Sequence, residues 1–283
     1  MADSKRSVLI TGCSDGGMGA ALAIEFHKAG LHVYATARDS SKMKTLAALG
    51  IETLLLDIQS ESSIQDCVRK VSRLDILINN AGATYTMPIA DISISEAKKL
   101  FDLNVWGYIA VTQAFLPLLL SSPKAIIANH TSIGAGSAIP FQATYNASKA
   151  AMAMFSDTLR LELQPFRVSV VELRTGGVKT NIAKSMQAKN PQLPEDSIYS
   201  PAKEVVERAL RIEYFQDMGI TPEQWAKGVV ADLLKAIPPS FIWRGESAWL
   251  GWFGSLLPHG WLDRTIKKMT GLDKIESIIA REQ

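Results

Sequence analysis

The chain has 283 residues, of which 47% are hydrophobic and 20% are charged, a composition typical of a folded globular protein rather than a disordered chain. Its net charge is only +2 and no basic stripe stands out, so nucleic acid is not expected as a partner. Two cysteines are too few for a disulfide framework, and no histidine pair has metal-ligand spacing, so no metal site is expected. The charged start and short first apolar run predict no signal peptide, and no apolar stretch reaches membrane-spanning length, so a cytoplasmic location is expected.

Short apolar segments alternate with longer helical patterns through the first two-thirds of the chain. Strands are predicted at residues 8–11, 32–36, 53–56, 74–78, 125–128 and 168–173, and helices at 20–29, 40–49, 60–71, 95–120 and 145–163. Pro117 is expected to kink or end the helix at 95–120. The strands are continuously apolar, as in a parallel sheet covered by helices on both faces. The pattern therefore predicts an α/β protein with a doubly wound, Rossmann-like parallel sheet.

The pattern changes after residue 173. Residues 180–201 are polar and contain Pro191 and Pro194, which predicts a loop or lid. Helices are predicted at 202–216 and 222–236, before a short strand at 241–243. The remaining tail is rich in aromatic residues. Four of the six tryptophans lie in or beside it: Trp243, Trp249, Trp252 and Trp261.

A glycine-rich turn follows the first predicted strand, where residues 11–19 read TGCSDGGMG. Glycines let the backbone approach a pyrophosphate, and the N-terminus of the next helix supplies free N–H groups and a positive dipole end. The turn therefore predicts a dinucleotide cofactor.

The end of the second strand indicates which cofactor. An acidic residue there would bind a free ribose 2′-hydroxyl and repel a 2′-phosphate. This chain has no acid at the strand tip, and Arg38 lies just beyond it. A guanidinium suits a phosphate, which favours NADPH over NADH. The alternative is that Arg38 is a solvated surface residue.

Tyr145 and Lys149 are four residues apart in a predicted helix and therefore lie on one face. An unperturbed tyrosine has a pKa of ~10, and a nearby ammonium lowers it by stabilising the phenolate. Ser132 follows a predicted strand end, where ligands gather in open α/β sheets. The sequence NNAG at residues 79–82 follows another strand, and Asn104 lies in the long helix.

In this order the glycine turn, Asp57 after the third strand, residues 79–82, Ser132, and Tyr145 with Lys149 make the chain resemble the compact, single-domain short-chain dehydrogenases/reductases. The resemblance covers about residues 6–181 and implies that residues 241–243 form the last strand. Within the family the chain is similar to fungal NADPH-dependent acyl-dihydroxyacetone-phosphate reductases.

The resemblance implies a role for each member of the catalytic set. Tyr145 would give its proton to a carbonyl oxygen as hydride arrives from the nicotinamide. Lys149 would lower the pKa of Tyr145 and hold the nicotinamide ribose hydroxyls. Ser132 would hydrogen-bond the substrate oxygen, and Asn104 would position a water that relays protons to Lys149.

The resemblance also implies a set of NADP(H)-binding residues. They are Gly12, Ser14, Gly17, Met18, Gly19, Arg38, Asp57, Asn80, Ala81, Gly82, Tyr145, Lys149, Gly176, Val178 and Thr180. Two features depart from the family pattern. The turn has one extra residue, so either Gly16 or Gly17 is its middle glycine, and Thr175-Gly176-Gly177 stands where the family commonly has Pro-Gly.

Two functions stay open. The first is NADPH-dependent reduction of a ketone or aldehyde in a small hydrophobic substrate that is lipid-like, steroid-like or a polyketide. Its pocket is expected to include Ile198, Tyr199, Phe215, Trp225 and Phe253. The second is an NADP(H)-binding regulatory or scaffold protein, or a non-redox enzyme on the same fold. The intact catalytic set argues against the second, because a pure binder does not need an activated phenol.

We expect residues 1–283 to form one dinucleotide-binding domain, with 180–240 as substrate lid and helices and 244–283 as an aromatic-rich extension. The tryptophans of the extension either contact a lipid surface peripherally or cover the substrate pocket and pack on the last helices. The resemblance implies a homodimer or homotetramer assembled through helices 95–120 and 145–163.

Overall fold

The computed structural model describes residues 5–181, 186, 188–215, 218–258 and 260–282. Its strands are β1 Ser7–Thr11, β2 His32–Ala37, β3 Glu52–Leu55, β4 Ile76–Asn79, β5 Ile126–His130, β6 Ser169–Thr175 and β7 Phe241–Arg244. They form one parallel sheet in the order β3-β2-β1-β4-β5-β6-β7. The predicted doubly wound sheet is confirmed, and each predicted strand is found with bounds within two residues.

Helices connect and cover these strands. Those described in full are α1 Met18–Lys28, α2 Lys44–Ala48, α3 Glu61–Val68, α4 Ile94–Phe101, α5 Gly107–Leu120, α6 Ala143–Glu162, α7 Lys203–Leu210, α8 Pro222–Leu233, α9 Ala248–Gly254, α10 Asp263–Thr270 and α11 Leu272–Glu282.

Both faces of the sheet are apolar. Neighbouring residues of a strand point to opposite faces, and in this sheet both neighbours are often apolar. In β1, Val8 and Ile10 enter one core cluster with Phe26 of α1, whereas Leu9 enters the other with Phe115 of α5. This two-sided burial explains why the strands are continuous hydrophobic segments rather than alternating ones.

The predicted helix at 95–120 is interrupted at an unexpected place. Helix α4 passes into a π-helical turn, Asp102–Trp106, which contains Asn104 and leads into α5. Of the two effects expected at Pro117, an end of the helix is not found, because α5 continues three residues further, to the predicted end at Leu120. Phe115 and Leu119 on either side of the proline are fully buried, so packing holds this last turn in place.

Two helix predictions in the last third were too long. Helix α7 ends at Leu210, and Ile212 beyond it has a positive φ of 49° that no α-helix accommodates. Helix α8 ends at Leu233. Parts of the predicted lid at 182–185 and 187, and the predicted helix end at 216, lie outside the described residues.

The C-terminal extension packs on the rest of the molecule. Ile275 of α11 is buried in a third core cluster with Val206 and Leu210 of α7 and with Phe141, which lies shortly before α6. The extension thus reaches the chain segment that leads to Tyr145.

By length and composition, the helical stretch Ile94–Leu120 could cross a membrane, since an 18-residue window has a mean hydropathy of 1.5. The fold buries 44% of that window. One such helix is weak support for a membrane span, because core helices of soluble proteins meet the same criteria of length and composition.

Candidate active site

A cavity of about 510 Å³ lies at the carboxyl ends of β4, β5 and β6, beside the start of α1. The sheet order reverses between β1 and β4, and ligands bind at such switch points in open α/β sheets. Nine predicted site residues line this cavity: Met18, Asn80, Gly82, Ser132, Tyr145, Lys149, Gly176, Val178 and Thr180.

The glycine turn packs against the segment after β4, backbone to backbone. Gly12 has a φ of +76°, and a Cβ atom on it would lie 2.7 Å from the Cα of Ala81. A Cβ on Gly19 would overlap the carbonyl oxygen of Gly12. Asn80 Nδ2 donates to the carbonyl oxygens of Thr11 at 2.8 Å and Gly12 at 3.2 Å. Both glycines are therefore required by close approach.

The helix after the turn begins with free donors. Gly17 is the N-cap of α1 with a φ of −96°, while the exposed Gly16 takes the left-handed conformation with a φ of +76°. The N–H of Gly17 donates to the carbonyl oxygen of Ser14 at 3.0 Å. No side chain caps α1, in contrast to α3, which Ser60 caps. Free N–H groups at a helix N-terminus fit a pyrophosphate.

Arg38 and Asp57 lie outside the cavity lining, along the same edge of the sheet. Arg38 is exposed and directly follows β2, and Asp57 follows β3 by two residues. The backbone of Asp57 donates to Ser63 Oγ at 2.9 Å, and its carboxylate accepts from the N–H of Gln59 at 3.0 Å. These two predicted residues therefore stand beyond the glycine turn, away from Tyr145.

Lys149 is buried in the cavity wall. Its ammonium donates to the carbonyl oxygen of His130 at 2.8 Å and lies 5.9 Å from the ring centroid of Tyr145. Burial lowers the pKa of Lys149 to about 8. The predicted pairing on one helical face is thus present, with the ammonium held by the end of β5.

The pKa of Tyr145 differs from the sequence-based expectation. Burial raises it above the usual tyrosine value, and a hydrogen bond with the Ser132 side chain acts in the opposite direction. The expected net lowering of the Tyr145 pKa is not found, because burial outweighs the effect that acts in that direction. Tyr145 therefore holds its proton at neutral pH, as a proton donor must.

Asn104 does not line the cavity but ties its wall together. Its Nδ2 donates to the carbonyl oxygen of Ala83 at 3.0 Å and to Ser148 Oγ at 3.1 Å, and its Oδ1 accepts from the N–H of Ala83 at 3.0 Å. The fully buried side chain thus joins the segment after β4 to α6. The water relay implied for it stays a prediction.

His130 lines the cavity, although it is not among the predicted site residues. Its Nδ1 lies 3.0 Å from Asn80 Oδ1, and its ring stacks on Trp225 with centroids 5.2 Å apart. Burial, followed by the charge of Lys149, lowers the pKa of His130 to about 3, so the imidazole is neutral. Its position two residues before Ser132, at a strand end, was the available signal.

The apolar wall differs from the predicted one. Phe215 lines the cavity as expected, but Trp225 is fully buried on His130, and Tyr199 packs edge-on against Phe141. Besides Met18 and Val178, the apolar side chains that line the cavity are Ala83, Ile133, Ile139, Ile212, Phe215 and Met218.

The other two predicted pocket residues, Ile198 and Phe253, are 69% and 48% exposed. Helix α9 carries Phe253, but its residue next to the site is Gly251. A Cβ on Gly251 would lie 2.8 Å from Cγ2 of Ile133, the neighbour of Ser132. The extension thus supports the cavity wall from outside.

Comparison with known proteins agrees with this geometry. The family model for short chain dehydrogenases matches residues 6–191. A short-chain dehydrogenase/reductase of Pestalotiopsis microspora is 54% identical, covering 98% of each chain. The NADPH-dependent 1-acyldihydroxyacetone phosphate reductase of Schizosaccharomyces pombe is 38% identical, covering 90% of this chain and 91% of the relative. A short-chain dehydrogenase structure from Streptomyces avermitilis superposes with a TM-score of 0.77 at 26% identity, covering 98% of both chains.

Proposed function

The chain belongs to the short-chain dehydrogenase family, and on that premise we propose that it is an NADPH-dependent reductase of a ketone or aldehyde in a hydrophobic substrate. The observation that carries the proposal is the convergence of Ser132, Tyr145 and Lys149 on one cavity of about 510 Å³ with an apolar wall. A binding protein has no need of this donor set, which is why reduction is preferred over a regulatory or scaffold role.

The family uses a nicotinamide cofactor, and we propose NADP(H) for this chain. The uncapped start of α1 offers free N–H groups to the pyrophosphate, and the exposed Arg38 offers a guanidinium to the 2′-phosphate. Bound NADPH would supply the hydride. The name of the S. pombe relative, an NADPH-dependent enzyme, supports this choice.

The proton side of the reaction falls to the chain's own residues. Ser132 and Tyr145 hydrogen-bond the substrate oxygen, where negative charge develops as the carbonyl carbon gains hydride. Tyr145 transfers its hydroxyl proton to that oxygen, which yields the alcohol and leaves a phenolate. The raised pKa keeps Tyr145 protonated until the substrate oxygen gains negative charge and becomes the stronger base. The ammonium of Lys149, 5.9 Å from the Tyr145 ring centroid, then stabilises the phenolate that forms.

A hydrophobic substrate suits the cavity wall. Ile212, Phe215 and Met218 come from the proposed lid region at 180–240, and Ile133 and Ile139 come from the loop before α6. We propose a lipid-like, steroid-like or polyketide carbonyl, and the acyl group in the name of the S. pombe relative agrees with the lipid-like class.

We propose further that the extension, residues 244–283, contacts a lipid surface peripherally on a cytoplasmic protein. Trp249 is 66% exposed and Trp252 is 51% exposed on α9, while Gly251 of the same helix faces Ile133. An aromatic face that is not used for packing suits a membrane interface.

The test of the proposed reaction is loss of NADPH absorbance with a panel of hydrophobic ketones and aldehydes. Wild type is expected to consume NADPH only when a carbonyl is added, and Tyr145→Phe is expected to lose at least about 100-fold in kcat while still binding NADPH. Carbonyl-independent oxidation that is equal in both proteins would favour the binding protein instead.

A further inference from the structure

Tyr108 carries a polar group that the site described so far does not use. Its side chain is fully buried, and its hydroxyl has no hydrogen-bond partner among the residues that the structure describes. The ammonium of Lys149 lies 5.5 Å from the centroid of its ring. Burial raises the pKa of Tyr108, and the nearby Tyr145 raises it further, so the hydroxyl keeps its proton. An unpaired buried hydroxyl is costly, so a native fold retains one where a partner can bind.

Gly82 lies beside this hydroxyl and, like Lys149, lines the cavity. A Cβ atom on Gly82 would lie 3.2 Å from Asn104 Oδ1 and 3.8 Å from both Lys149 Nζ and the Tyr108 hydroxyl. Three polar atoms therefore surround the point where any other residue would place a carbon. They comprise an amide acceptor, an ammonium donor and a hydroxyl that both donates and accepts. A buried water needs two to four such partners.

We propose that Tyr108, Asn104 and Lys149 hold one water molecule in the space beside Gly82, and that Tyr108 is a positioning residue for the proton supply to Tyr145. The inference rests on the proposed function. The link from Asn104 to Lys149 is implied by the family resemblance, whereas the roles of Tyr108 and of the open space beside Gly82 come from the structure.

The proton balance assigns each group its part. When Tyr145 gives its proton to the substrate oxygen, the phenolate must regain one proton for each turnover. Lys149, whose ammonium lies 5.9 Å from the Tyr145 ring centroid, supplies the proton that the phenolate regains. The held water then returns one proton to the Lys149 nitrogen. Solvent then replaces the proton of the water, so the chain is unchanged after a cycle. Without the Tyr108 hydroxyl the water loses one of its three partners and is less well placed.

Tyr108→Phe is the direct test, because it keeps the ring packed beside Lys149 and removes only the hydroxyl. Tyr34→Phe is the matched control, since Tyr34 is a buried tyrosine of the same core cluster but lies on β2. We expect Tyr108→Phe to lower kcat about 5- to 20-fold and to increase the solvent deuterium isotope effect on kcat. The KM for the carbonyl and the Kd for NADPH should stay within about twofold, and the control should match wild type.

Two readouts do not depend on turnover. A high-resolution structure of the wild type is expected to show an ordered water within about 3 Å of the Tyr108 hydroxyl, and the Tyr108→Phe structure should lack it. If the hydroxyl instead has no partner, Tyr108→Phe relieves a buried unpaired group and raises Tm relative to the Tyr34→Phe control.

A raised Tm with no ordered water overturns the proposal, and so does an unchanged kcat and isotope effect in Tyr108→Phe. Failure of the wild type to reduce any carbonyl would instead contradict the proposed function, and the structural readout would still decide whether the water is held. Gly82→Ala places a methyl group at the same position. After correction for any change in NADPH binding, the fold loss of kcat in the double variant with Tyr108→Phe should be smaller than the product of the two single losses.

Discussion

The buried carboxylate of Glu172 accepts a hydrogen bond of 2.8 Å from the hydroxyl of Thr131, the residue before Ser132. Arg174 donates to the same carboxylate at 2.7 and 3.1 Å, and its guanidinium lies 4.9 Å from the ring centroid of Trp243 on β7. Three adjacent strands thus fix the start of the loop that carries Ser132.

Removing this carboxylate should destabilise the fold. Glu172→Ala leaves Arg174 and Thr131 without their shared partner, and we expect a loss on the order of 3 kcal/mol in the free energy of unfolding by urea. Glu52→Ala is the control, because the Glu52 and His32 side chains of its pair are 42% and 46% exposed. That variant should change by less than about 0.5 kcal/mol. Equal losses in the two variants would contradict the prediction.

Lys149 should give stability a distinct pH dependence. Its folded-state pKa of about 8 lies below the usual 10.5, so between these pH values the unfolded chain holds more protons at this residue than the folded chain. Stability from this group therefore rises with pH across that window and is lowest below about pH 8.

Substituting the lysine removes that dependence. The difference in unfolding free energy between Lys149→Met and wild type should move in favour of wild type by roughly 2–3 kcal/mol from pH 7 to 10.5, at about 1.4 kcal/mol per pKa unit. In Lys28→Met, where the side chain is 66% exposed, the difference should stay constant. A flat difference for Lys149→Met would show that the lysine is not penalised by burial.

Arg38 should determine the choice of nucleotide. Arg38→Asp replaces a phosphate-binding guanidinium by a carboxylate that repels a 2′-phosphate and accepts from a free 2′-hydroxyl. The ratio of Kd values for NADPH and NADH, measured by fluorescence titration, is expected to shift towards NADH by roughly 100-fold. The control is Arg69→Asp at the C-terminal end of α3, which should leave the ratio unchanged. An unchanged ratio in Arg38→Asp would mean that another group recognises the 2′-phosphate.

The exposed face of α9 should bind lipid. Wild type is expected to pellet with vesicles of phosphatidylcholine and phosphatidylserine, and the combined variant Trp249→Ser, Trp252→Ser and Phe253→Ser should stay in the supernatant. Phe166→Ser removes another exposed aromatic, 61% exposed, and should pellet like wild type. Equal pelleting of wild type and the triple variant would end the lipid-surface hypothesis.

The long helices should form the contact between subunits. Trp106 and Phe155 meet edge to face with ring centroids 6.0 Å apart, and they are 54% and 40% exposed. Phe155→Glu would bury a charge in that contact, so light scattering should report a monomer where wild type is a dimer or tetramer. Leu49→Glu, on the exposed end of α2, should keep the wild-type mass. A monomeric wild type would contradict the prediction.

The sequence was most informative where the structure depends on local pattern. Continuous apolar segments located every strand, and the spacing of Tyr145 and Lys149 placed both on one face of α6. Properties that depend on how distant elements pack were missed. Trp225 was assigned to the substrate pocket because it is aromatic and lies near the lid, but α8 packs on α1 and buries it. The Glu172 contact joins two neighbouring strands separated by 41 residues, so no local motif signals it.

The contact between Gly251 and Ile133 joins α9 directly to the loop that carries Ser132. A displacement of α9 would therefore act directly on the isoleucine that adjoins Ser132. Shortening the chain at its C-terminus would therefore remove a buttress of the oxygen-binding serine, even though no group of the extension takes part in the chemistry.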